Sequence, residues 1–216
     1  MSTTMAVVFY TLMVVAAWML GVVWLDLDLL VWHDGWWETE LWFDALLGVG
    51  LGVATVIASR ILEHTTEWAR VLGEEFRKIL GNLSPAQVVV FAVTSGVAEE
   101  VFFRGFLQQA LSDVLFTNHW IGLIVASLIF GLIHIGPDRK KFLPWTIMAI
   151  VLGFLFGLLY MYTGNIVGPV VAHFTINFFN LLHIVRDSDD SDEAEPPPEI
   201  DEVDESDEDR ESPWNP

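Results

Sequence analysis

The sequence predicts an all-α fold: a polytopic membrane helix bundle of about six transmembrane helices, with an interfacial amphipathic helix and a disordered acidic C-terminal tail. Hydrophobic residues make up 53% of the 216 positions and mean hydropathy is +0.49. They fall in blocks of about 17 to 25 residues, the length that crosses a hydrocarbon core of roughly 30 Å. Cysteine is absent, which excludes disulfides, thiol nucleophiles, thiolate metal sites and lipidation at cysteine. Catalysis in such a chain falls to carboxylates, imidazoles, hydroxyls or amides.

The spans are expected at 5–25, 43–60, 85–112, 119–136, 142–162 and 165–185. The first reads as a membrane span and not a cleaved signal, because no Lys or Arg precedes it and no small polar cleavage site follows. Between the second and third, ILEHTTEWARVLGEEFRKIL sets Ile61, Thr65, Trp68, Leu72, Phe76 and Ile79 at helical spacing. Glu67, Arg70, Glu74, Glu75 and Lys78 lie mostly on other faces, so this segment reads as a surface helix, most simply an anchor. Ser84 then has the chemistry of an N-cap, and Pro85 sits at the first helical position, where its missing N–H does no harm.

Lys and Arg in short loops mark the cytoplasmic side. Arg60, Arg70, Arg77 and Lys78 lie between spans two and three, and Arg139, Lys140 and Lys141 between spans four and five. The other connections lack Lys and Arg and are rimmed by Trp24, Trp32, Trp36, Trp37, Trp42, Trp120, Tyr160 and Tyr162, as an interfacial aromatic belt is. Both termini are therefore expected in the cytoplasm of a multi-pass cell-membrane protein. Residues 186–216 hold 15 acidic and 2 basic residues, leaving 14 acidic and 8 basic in 1–185. That tail has too few apolar residues to offset the entropy of ordering and reads as a solvated segment, or alternatively as a docking tail for a basic partner. The division is then 1–83, an N-terminal two-span region with the surface helix; 84–185, a four-helix core; and 186–216, the tail. No basic patch is present to neutralise phosphates, which argues against nucleic acid as a partner.

Glu99 and Glu100 stand in a stretch otherwise apolar enough to span a bilayer, followed by Arg104. A charge at membrane depth costs about 2.5 to 3.5 kcal/mol even on the mildest scale, so such residues face a bundle interior or a wet cavity. Glu100 and Arg104 are four apart and suited to an ion pair, whereas Glu99 points about 100° away around the helix. Phe130 and His134 in FGLIH, and His173 and Asn177 in HFTIN, are also spaced to share a helix face. Taken singly, these residues also fit a structural ion pair, a helix-end histidine above Gly136-Pro137, and a hydrogen bond between helices. His33, His64, His119 and His183 have no such pattern and read as interfacial or loop residues.

EEVFFR, FGLIH and HFTIN, in that order on three separate spans, resemble the three motifs of the intramembrane CAAX-protease and bacteriocin-processing family, also called Abi or Rce1-like. The resemblance covers about residues 84–185 and implies peptide-bond hydrolysis in the membrane near its cytoplasmic side. The partners it implies are the lipid bilayer and a membrane-anchored or prenylated protein or peptide substrate. Burial in a poorly solvated cavity makes a carboxylate a better general base near neutrality. On that chemistry Glu99, with His134, takes a proton from a water that attacks the scissile carbonyl, and His173 and Asn177 donate to the oxyanion. Glu100, paired with Arg104, fixes the helix and tunes Glu99.

A zinc reading uses Glu99, His134 and His173 as ligands with an open position for water. HExxH and a GxSG serine motif are both absent, which argues against two other intramembrane protease classes. Outside enzymes, the same charges suit a scaffold or an ion or proton translocator, although no inverted repeat or mid-depth helix break is evident. Glu99 falls about 21 Å along span three from Pro85, yet His134 lies near the cytoplasmic end of span four. Their meeting requires a long or tilted third helix.

Overall fold

The fold, taken from a computed structural model, is described for residues 3–32, 35–36, 39–80 and 82–194, with side chains through Arg186. His33, Trp37 and the tail beyond Ala194 lie outside the described residues. The helices are α1 (Thr3–Trp24), α2 (Leu41–Thr65), α3 (Glu67–Leu80), α4 (Pro85–Leu115), α5 (His119–Leu132), α6 (Arg139–Thr163) and α7 (Val167–Ala194). Among the described residues there is no strand beyond an isolated antiparallel bridge between Val31 and Asn165. Five of the helices, α1, α2, α4, α6 and the Val167–Arg186 portion of α7, are long and apolar enough to cross a membrane. Their outward faces carry Leu12, Leu46, Ile57, Val93 and Ile147, all strongly exposed, as suits contact with lipid.

The fourth expected span is a correction. Its helix, α5, has 14 residues and ends at Leu132, not near 136. Its last turn tightens as His134 N–H donates to Gly131 O, and Pro137 bars any continuation. The start of the surface helix is a second correction: α2 runs through Thr65, so Ile61 and Thr65 belong to the span. Thr66 is extended and closes α2 with its N–H on Leu62 O, and α3 begins at Glu67. The last helix also continues past Arg186 to Ala194.

Other local expectations hold. Ser84 and Gln87 form a reciprocal capping box with Pro85 in the first turn of α4. At 31 residues, α4 is as long as the depth argument demands, about 46 Å. Its second half changes to π-helical turns over Val101–Gln108 and Ala110–Leu115, beginning directly after Glu100. α2 and α7 approach closely at two glycines: a side chain on Gly48 would strike Gly168 O and Val171, and one on Gly52 would meet Thr175.

The connections sort to two ends. Lys141 at the start of α6 bonds Glu75 on α3 at 2.7 Å, and Phe76 packs on Phe142 and Trp145, which joins the two basic connections. At the opposite end Trp32 packs against His119 and Tyr160, its N–H donates to Gly164 O, and Trp36 meets Trp120. The polar residues of the motifs sit between these ends.

Candidate active site

α4 presents the two carboxylates on different sides. Glu100 is fully buried and faces Arg104, whose Nη1 donates to Oε1 at 3.2 Å while Nε lies 3.2 Å from Oε2. The guanidinium also donates from Nη2 to Gly153 O on α6 at 2.8 Å. It lies over the Phe130 ring, 4.6 Å from the centroid, with Phe103 and Phe156 on other sides. This buried charge is paired, hydrogen-bonded and enclosed by rings, which is how charge persists in a low-dielectric interior.

His173 on α7 joins the two carboxylates: Nδ1 lies 2.7 Å from Glu100 Oε1, and Nε2 lies 3.9 Å from Glu99 Oε2. His134 approaches Glu99 from the α5–α6 connection, its Nε2 3.7 Å from Oε2. The other nitrogen of His134, Nδ1, is 2.6 Å from Phe130 O. A carbonyl only accepts, so the hydrogen-bond network places a proton on Nδ1, and in the neutral ring Nε2 is then the acceptor that faces Glu99. Trp145 packs edge-on to His134, and Phe156 stacks on His173, which fixes both rings.

Asn177 lies one turn beyond His173 on α7. Its Nδ2 donates to Ser95 Oγ at 2.8 Å, and Ser95 donates onward to Phe91 O at 2.7 Å. Because the serine proton is committed to a carbonyl, Ser95 accepts from the amide and fixes which way the Asn177 side chain faces. Glu99 Oε2 is buried without a hydrogen-bond partner, although two imidazole nitrogens face it. The structure thus brings together Glu99, Glu100, Arg104, His134, His173 and Asn177.

A family model described as type II CAAX prenyl endopeptidase Rce1-like matches residues 81–179. Over this segment the chain resembles the Rce1-like family. Among curated proteins of Bacillus subtilis, "Uncharacterized protein YpbD" is 38% identical over 47% of this chain and 47% of its own length. "Putative membrane peptidase YdiL" is 34% identical over 44% of this chain and 36% of its own. "Uncharacterized protein YyaK" is 35% identical over 49% of this chain and 35% of its own. The chain thus spans about half or less of the length of the curated relatives it matches. No solved structure matches.

These residues open into a cavity of about 360 Å³ that runs from Glu99, His134, His173 and Asn177 toward α3. Trp68, Leu72 and Phe76 of α3 line it, so this helix covers the cavity. Tyr10 of α1 also lines it and lies within interaction range of both Glu99 and Ser95. Nothing in the sequence pointed to Tyr10, because one tyrosine in an apolar span carries no pattern. His183 is a further correction: it sits in α7, bonded to Glu63 of α2 at 3.1 Å, and not in a loop. His119 pairs with Asp113 at 3.5 Å, and His64 is an exposed residue of the last turn of α2.

The zinc reading is tested by the donor set. Ligands of a tetrahedral zinc stand about 2.0 to 2.2 Å from the metal. Among the described residues no three His, Asp or Glu side chains are placed to hold one ion. Glu99, His134 and His173 converge without closing to that geometry.

Proposed function

We propose that the chain is an intramembrane endopeptidase that hydrolyses a peptide bond of a membrane-associated substrate with water activated by Glu99 and His134. The observation that carries the reading is the buried Glu99 Oε2, faced by the Nε2 atoms of His134 and His173 at 3.7 and 3.9 Å, in one cavity with Asn177. The unprotonated Nε2 of His134 accepts a hydrogen bond from the attacking water, and Glu99 accepts its proton. The oxygen adds to the scissile carbonyl. The resulting oxyanion is met by the second N–H of Asn177, the first being held by Ser95, and by Nε2 of His173 when that ring carries both protons. Glu99 then returns the proton to the leaving nitrogen as the C–N bond breaks, giving a carboxylic acid and an amine.

In this reading residues 84–185 form the catalytic core, and the end carrying α3 and Arg139–Lys141 faces the cytoplasm, so water and peptide enter from there. The family description supports a prenylated substrate as the first to try. The test is cleavage of a membrane-anchored fluorogenic peptide by the protein in vesicles. Glu99→Gln and His134→Ala are each expected to lose at least about 100-fold in rate while unfolding at wild-type temperature. Full activity in both variants would end the catalytic reading.

A further inference from the structure

The cavity has a second polar end. Arg60 and Glu63 of α2 meet Asn180 and His183 of α7 below an apolar stretch formed by Phe91, Met148, Leu152 and Ile176. Arg60 Nη2 donates to Asn180 Oδ1 at 2.7 Å, where Ser59 also donates at 3.1 Å, and Nη1 donates to Glu63 Oε2 at 3.0 Å. His183 Nε2 shares that Glu63 oxygen at 3.1 Å, and Arg77 of α3 approaches the other at 3.6 Å. Residues of α2 and α7 thus fix the Arg60 guanidinium, whose side chain stays 28% exposed. A guanidinium has five N–H donors in a planar fork, and these bonds engage two of them.

Among the described lining residues Arg60 is the fixed cation; Glu63 beside it is shared with Arg77 and His183, so two guanidiniums answer one carboxylate at this end, whereas the catalytic end carries the carboxylate of Glu99. The cavity is therefore polarised: an anionic group entering it is repelled from Glu99 and drawn toward Arg60. Asn177 and Asn180 are three apart on one face of α7, about 4.5 Å along its axis. Extended peptide rises about 3.3 Å per residue.

We propose that Arg60, held by Asn180 and Glu63, is a specificity-determining residue that binds a substrate carboxylate about one to three residues from the scissile bond. The inference rests on the peptidase reading. It fixes the direction of the bound peptide, with its anionic side toward α3 and its carbonyl at Asn177. Two sources share this chemistry: the carboxyl terminus of the substrate, and an Asp or Glu side chain near the cut.

The experiment uses three membrane-anchored peptides alike except at one group: a free C-terminal carboxylate two residues past the cleaved bond, the same peptide amidated, and the amidated peptide with Asp at that residue. In the wild-type protein the free acid is expected to exceed the amide in kcat/KM by about 10-fold to 100-fold, the range of a charge-assisted bidentate pair. Restoration by Asp assigns recognition to any carboxylate, and failure to restore assigns it to the terminus. In Arg60→Gln the acid-to-amide ratio falls to about one, and Arg60→Lys, which keeps the charge without the fork, retains an intermediate ratio. Equal cleavage of acid and amide by the wild type overturns the proposal without any variant, as does a preference that survives in both variants. Binding of the same peptides to Glu99→Gln, read by fluorescence anisotropy, separates the two readings. If nothing is cleaved, the peptidase reading fails, and the binding ratio still decides the role of Arg60.

Discussion

Glu99 and Glu100 are chemically identical neighbours in opposite circumstances. Glu100 has Arg104 on both oxygens and His173 at 2.7 Å, whereas Glu99 Oε2 meets imidazoles only beyond 3.6 Å, at 3.7 and 3.9 Å. Removing a partner from a buried pair leaves a charge unanswered, which typically costs about 3 to 5 kcal/mol. Arg104→Met is therefore expected to lower thermal stability sharply, while Glu99→Gln leaves stability near wild type and removes activity. Asn177→Ala should lose about 100 to 1,000-fold in kcat with a small change in KM, as an oxyanion donor does. Ser95→Ala, which frees that amide without deleting it, should lose less. Because no three ligands close on one ion, chelator is expected to leave the rate unchanged; a loss restored by zinc would reinstate the metal reading.

At the level of elements, local chemistry was legible and tertiary pairing was not. Ser84, Gln87 and Pro85 start α4 because capping involves neighbours in sequence, and Glu100 finds Arg104 because four residues bring them to one face. The early end of α5 was half visible in Gly136-Pro137, but the tightened turn at His134 arises from packing of that ring against Phe130 and Trp145. The bonds of Glu63 to His183 and of Asn177 to Ser95 span 120 and 82 residues, and a single sequence gives no signal at that range. The π-helical turns of α4 were equally invisible, and Gly105 within them leaves room for Leu29 O that a side chain would fill. The cover formed by α3 gives a prediction at this scale. Hydrogen bonds from Lys141 and then Lys78 hold the Glu75 carboxyl below the ordinary carboxylate range. A depressed carboxyl adds stability that is complete above its unfolded pKa and is lost as pH falls through the folded one. Amide exchange across residues 67–80 is accordingly expected to quicken under acid, and Glu75→Gln should quicken it at neutral pH. Unchanged exchange in that variant would show that α3 is held without Glu75, by Trp68, Leu72 and Phe76 and by the Arg77–Glu63 pair.

For the whole molecule, the decisive property is which end of the bundle faces the cell interior. The basic connections meet through Lys141 and Glu75, and the tryptophan-rich ones meet through Trp32 and Trp36. A loop-by-loop charge rule thus becomes a statement about two physical ends, with the cavity running toward the basic one. A hydrolytic site at membrane depth needs water and peptide from one side only, so the orientation is part of the mechanism. The absence of cysteine makes it directly measurable, because any single introduced thiol is the sole target of a maleimide. Lys140→Cys at the α3 end and Thr117→Cys between α4 and α5 are both outside the site. In intact cells an impermeant maleimide is expected to label Thr117→Cys and spare Lys140→Cys until the membrane is opened. The reverse pattern would place the cavity mouth outside the cell, where the peptide would have to be presented from the other face of the bilayer, and the cytoplasmic route would fail even if Glu99 and His134 proved catalytic.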